Sequence, residues 1–141
     1  MNAEPFGELS YRRRDKEWFG NVDNISPDNK VELSIFVDND RQDISDKIIL
    51  VEQFACDYDI IMEKLYQLAY LKYKDTKWEK PQNEIKKMYF LAGVNLKSDN
   101  KTWWLVLEPN FNIDSIYNHF LRFTMVDREI VWTNFDINTT A

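Results

Sequence analysis

Cysteine and histidine are almost missing from this chain of 141 residues, which holds only Cys56 and His119. A lone cysteine closes no internal disulfide, and one thiol plus one imidazole fall short of a zinc site. A Cys–His nucleophilic pair would need both side chains in one cleft, and no local signature joins them. Cys56 lies inside a helical pattern beside Ala55 and reads as a small, partly buried residue. Glycine is scarce as well. Gly7, Gly20 and Gly93 stand far apart, so no glycine-rich loop is present to cradle a phosphate. With four prolines and no repeat, nothing is low-complexity. No uncharged apolar run approaches the ~20 residues that a membrane helix needs, and Met1–Phe6 lacks the basic and apolar regions of a signal peptide. These absences predict a cytoplasmic chain with no cofactor, no metal and no recognisable catalytic residue.

What is present is apolar and aromatic. Hydrophobic residues make up 44% of the chain and aromatics 15%, too much for a disordered polymer. The length predicts one domain over 1–141, with an ordered core of about 6–137, large enough to bury roughly two thirds of its unfolded surface.

Ile44–Lys74 is the only long stretch with a helical rhythm. Ile48, Val51, Ala55, Tyr58, Met62, Leu65 and Ala69 follow each other in steps of three and four, which places them on one side of a helix. Leu50, Phe54, Ile61 and Leu68 widen that side enough to lie on a sheet. Cys56–Asp59 interrupts the best helix formers. One helix or two remain open over this span, with a break at Asp57 favoured. Asp43 or Ser45 is the expected cap, and Asp46 suits the first turn.

Around this centre the chain reads as strands. Glu8–Arg14, Trp18–Val22 and Val31–Val37 alternate between apolar and polar residues and form a meander, joined by short polar turns. After a loop at Pro81, with room for one helical turn over Asn83–Lys87, come strands over Met88–Leu96 and Thr102–Glu108. The last two strands, His119–Val126 and Glu129–Ile137, meet at Asp127-Arg128. Trp103 and Trp104 are neighbours in a strand and must point to opposite faces. The expected class is therefore α+β: an antiparallel sheet of six or seven strands with the 45–74 helical segment on one face.

The net charge of −6 is localised. Asp38, Asp40, Asp43, Asp46, Glu52, Asp57, Asp59 and Glu63 face only Arg41 and Lys47 within their stretch, and the remainder holds sixteen acids and sixteen bases. Such a field repels nucleic acid and anionic lipid and attracts basic partners. A solvated helix face without a partner gives the same composition. The Asp38-x-Asp40 spacing resembles the start of a calcium loop, but Asp43 stands where that loop needs Gly and Ile49 where it needs Glu. Arg12-Arg13-Arg14 is the one basic run, and it suits an edge strand guarded against aggregation.

Trp18-Phe19-Gly20-Asn21-Val22, then Val31-Glu32-Leu33-Ser34-Ile35, then the long helical stretch and the pair Leu121-Arg122-Phe123 and Val131-Trp132 form an ordered series. It resembles small uncharacterised bacterial α+β domains that begin with a Trp-x-Gly strand. Those domains often carry Glu-His-Gly before the last hairpin; here Asn118-His119-Phe120 departs from it. Many are similar in size and acidity to immunity proteins of polymorphic or contact-dependent toxins. The resemblance implies a non-enzymatic bacterial protein whose acidic face meets a basic toxin domain, as monomer or dimer. From another class, a small enzyme or ligand-binding domain would use His119 as acid or base in a cleft between helix and sheet. A self-associating domain would instead expose an uncharged apolar patch.

Overall fold

The computed structural model describes residues 1–110 and 120–135. Among them a two-stranded ribbon, β1 (Asn2–Ala3) with β2 (Gly7–Glu8), precedes a seven-stranded sheet. The sheet comprises β3 (Ser10–Arg12), β4 (Glu17–Val22), β5 (Val31–Phe36), β6 (Tyr89–Leu96), β7 (Thr102–Pro109), β8 (Leu121–Val126) and β9 (Glu129–Phe135). These strands lie side by side in chain order. The helices α1 (Ser45–Cys56), α2 (Tyr58–Tyr73) and α3 (Gln82–Met88) all fall between β5 and β6. The class is α+β as expected.

One pairing differs from the antiparallel expectation. β5 and β6 run parallel, with Glu32 opposite Gly93 and Ile35 opposite Leu96. The cause is the connection: the helical layer carries the chain from the end of the sheet where β5 stops back to the end where β5 began, so β6 runs in the same direction. The one helical turn expected near residue 83 is a helix of seven residues, anchored by buried Ile85 and Met88.

Alternation sorts the side chains by face. Trp18, Leu33, Val94, Leu105 and Phe123 share one face through their register, and all are buried. They belong to one core with Val51, Phe54, Ile61, Leu65 and Ala69 of the helices. Phe54 stacks on Trp103 with ring centroids 5.0 Å apart, and the Tyr66 hydroxyl donates to the Tyr89 carbonyl (3.4 Å). Phe6 and Leu9 fill the same core beside β4. There Gly20 is needed for space, since a Cβ would stand 2.4 Å from the Glu8 carbonyl oxygen.

The helical stretch is broken where Asp57 stands between α1 and α2. The Asp57 carboxylate does not cap α2; it pairs with Arg128 in the β8–β9 turn. At the other end, Ile44 occupies the cap position of α1 without a side-chain bond, while Asp43 accepts the Ser45 N–H (3.0 Å). Lys47, on the buried side of α1, is 1% exposed. Its ammonium donates to the Ser98 carbonyl (3.3 Å) and to Asn100 Oδ1, tying α1 to the β6–β7 turn. Burial lowers the Lys47 pKa, against the nearby Asp46 carboxylate that raises it. No helix of the described residues is long and apolar enough to cross a membrane.

Candidate functional site

The eight acids of the charged stretch fall into two kinds once their neighbours are known. Five are engaged. Asp40 accepts the Tyr11 hydroxyl (2.6 Å) and pairs with Arg13 (3.3 Å), so the β3–β4 region holds the 38–43 loop. The Trp18 indole N–H, donating to the Arg41 carbonyl (3.1 Å), fixes the same loop. Asp46 pairs with Arg41 at 2.6 Å and accepts a weaker bond from Asn100 (3.4 Å). Asp57 pairs with Arg128, and Lys64 donates to the Arg128 carbonyl (3.4 Å). Glu63 meets Lys86 of α3 at 2.7 Å and accepts from Gln82 at 2.8 Å. Asp43 is the fifth, bonded to the Ser45 amide and hydroxyl.

These bonds shift protonation in the expected direction. The Tyr11 hydroxyl, then Arg13, holds Asp40 below the ordinary carboxylate range, while the same bond raises Tyr11. Ser45 lowers Asp43, and Arg41 with Asn100 lowers Asp46. By contrast Asp38, Glu52 and Asp59 are exposed and have no side-chain partner among the described residues.

Glu52 and Asp59 flank the α1–α2 bend, which borders several depressions. The largest, about 820 Å³ and open, runs between the β4–β5 turn and the bend. Asp23, Asp28 and Lys30 line it from the turn, and Ala55, Cys56, Tyr58 and Asp59 from the helices. Its floor is a polar cluster: the buried Ser26 hydroxyl lies 3.1 Å from Asn29 Oδ1 and 3.2 Å from the Tyr58 hydroxyl, and it accepts the Asp28 N–H (3.2 Å). Burial raises the Tyr58 pKa, so the hydroxyl stays protonated at neutral pH. A second hollow of about 350 Å³ is lined by Ile49, Glu52, Gln53, Cys56, Asp57 and Arg128. A third, about 200 Å³, joins Asp57, Ile60, Lys64 and Arg128 to Met125 and Ile130 of the last hairpin.

Two exposed isoleucines mark this surface. Ile49 is 54% and Ile60 62% exposed, on either side of the bend. Cys56 is exposed too, contrary to the partly buried position that its place in the helical pattern suggested. The break turns it outward at the last residue of α1. Asp23 and Asp28 stand in the polar β4–β5 turn, which carries no signal of a site in the sequence. Only the proximity of that turn to residues 55–59 brings them into the groove.

The sheet face opposite the helices has its own chemistry. Lys97 lies between Phe36 and Trp104, with its ammonium 4.0 and 3.8 Å from the ring centroids. The Arg12 guanidinium sits 3.8 Å over Phe19. Trp103 and Trp104 do point opposite ways, 7% against 46% exposed. His119, the expected acid or base of a helix–sheet cleft, lies outside the described residues. Among the described residues no group of three or more His, Cys, Asp or Glu is placed to hold a metal ion. No family model matches the chain, and no curated protein or solved structure does either.

Proposed function

We propose that this chain is a non-enzymatic protein-binding domain, a bacterial immunity protein that neutralises a cognate toxin by presenting its acidic helical side to a basic surface. The observation that carries this reading is the outer side of α1 and α2. Glu52 and Asp59 stand there unpaired, beside the exposed Ile49 and Ile60, while the opposite side of both helices is buried in the core. Unpaired charge around exposed apolar side chains is the composition of a surface built to associate: carboxylates speed encounter and aliphatic anchors hold the complex. The face extends over Asp38, Asp40, Asp43, Asp46, Glu52, Asp57, Asp59 and Glu63.

The direct test is the protein encoded immediately upstream. Under this reading it is toxic when expressed alone, is rescued by this chain, and co-purifies with it. A neighbour that is neither toxic nor bound would sink the proposal. Reversing three of the eight charges is expected to lower the association rate and to raise Kd, most strongly at low salt. Unchanged binding would remove the acidic face from the reading.

A second reading, self-association, is favoured by one observation: Trp104 and Val131 are exposed on the same open sheet face, linked through Thr124. Light scattering separates the two, since a dimer that Trp104→Ser dissociates would assign that face to a second copy.

A further inference from the structure

The eight acids of the charged side are divided by their partners. Two cations around the α1–α2 bend are paired with carboxylates, Arg128 with Asp57 and Lys30 with Asp23 at 3.2 Å, while the Lys64 ammonium, donating to the Arg128 carbonyl at 3.4 Å, keeps its charge on the Ile60 side. Glu52, Asp59 and Asp28 are left uncompensated around the exposed Ile49, Cys56 and Ile60. These groups are continuous. Cys56 lines both the groove that holds Asp28 and Asp59 and the hollow that holds Ile49 and Glu52, and Asp57 with Arg128 joins that hollow to Ile60.

Resting on the protein-binding reading, we infer that the partner docks across this bend with a segment in which apolar side chains alternate with Lys or Arg. The charge argument selects that chemistry. A wholly apolar segment would bury Glu52 and Asp59 without a counter-charge, which is costly. A wholly basic one would leave the isoleucines without contact. An acidic segment meets three carboxylates against the single Lys64 ammonium and is disfavoured. The Asp57–Arg128 pair sits at the centre of the surface, already neutralised, so it adds shape and hydrogen-bonding edges without adding net charge. Ile49 and Ile60 are the anchors, and Glu52, Asp59 and Asp28 set charge preference and orientation.

The experiment uses the full chain, ¹⁵N-labelled, and a synthetic peptide of three Leu-Lys-Lys-Leu repeats at 0.15 M salt. A Leu-Glu-Glu-Leu peptide and a Ser-Lys-Lys-Ser peptide serve as probes of charge alone and of apolar anchoring alone. The Leu/Lys peptide is expected to shift amide signals of Asp28 and of residues 49 to 60, and the two other peptides to bind at least tenfold more weakly. Glu52→Gln with Asp59→Asn is expected to weaken binding about tenfold, as is Ile49→Ser with Ile60→Ser. Asp15→Asn with Asp75→Asn, the same change of charge on exposed acids in the β3–β4 turn and beyond the far end of α2, is expected to alter it less than twofold. All six positions are exposed, so the variants should fold, and retained amide dispersion in their spectra checks this.

Shifts centred on Trp104, or equal losses from the near and distant pairs of acids, would overturn the assignment of the bend. Failure of the Leu/Lys peptide to bind, with the upstream protein still bound, would overturn the stated partner chemistry and leave the broader function standing. If the upstream protein also fails to bind, it is the broader function that falls.

Discussion

The two faces of the sheet use the same strands and opposite means of covering apolar surface. On the helix side, Leu33, Val94, Leu105 and Phe123 are fully buried against other apolar residues. On the open side, long cations lie over the rings: Arg12 on Phe19, and Lys97 between Phe36 and Trp104. Burial on the first face is permanent and settles the fold. On the second, ring surface is shielded by side chains that keep their charged ends near water, a cover that holds the face soluble and yields easily.

Truncation at adjacent residues should give the largest contrast. Leu105→Ala removes a fully buried side chain and is expected to cost about 2–5 kcal/mol in urea unfolding. Val106→Ala, one residue on and half-buried on the open face, should cost under about 1 kcal/mol. Equal losses would mean that the open face is as well packed as the core. Next comes Gly20→Ala, expected to destabilise by about 1–3 kcal/mol because the Glu8 carbonyl must move away from the new methyl group.

Lys47 tests whether charge on the inner face behaves differently from charge on the outer one. Its folded pKa lies below 10.5, so the unfolded chain holds the proton to higher pH. Between the folded value and 10.5 its contribution to stability therefore rises with pH. Wild type should gain on Lys47→Met between pH 7.5 and pH 10 in parallel urea melts. Tyr66, raised by burial, gives the opposite slope above its usual range, but equally in both proteins. A pH-independent difference would show that Lys47 is solvated.

On the open face, Lys97→Gln should cost about 0.5–1 kcal/mol and alter Trp104 fluorescence, as the cation between the two rings is lost. The smallest effect is of reversed sign. Burial, then the Glu32 charge, raises Glu108 above 4.5, so its contribution is full below that pH and is lost as pH rises through the folded value. Glu108→Gln should stabilise the protein at pH 7 by roughly a few tenths of a kcal/mol, with no gain at pH 3. A gain that persists at pH 3 would point to packing rather than charge.

The sequence made the strands and the helical side of Ile44–Lys74 legible because alternation and the three–four rhythm record burial directly. The break at Asp57 was legible from poor helix formers. The direction of β6 was not, since an alternating strand reads alike in either direction. Lys47 stood on the apolar side, three residues after Ile44 and four before Val51, and that spacing was the one signal of its burial. The acids were readable as a group, but their division was not. Arg13, Lys86 and Arg128 reach them from distant parts of the chain, and only folding brings them together.

The parallel seam has a kinetic consequence. β3, β4 and β5 form one run of neighbouring hairpin pairings, and β6, β7, β8 and β9 form another. Each can zip through local contacts. Joining the two runs requires Glu32 to meet Gly93 across the whole helical insertion, the longest loop closure in the sheet. Destabilising the β5–β6 pairing should slow refolding more than an equal loss within either half.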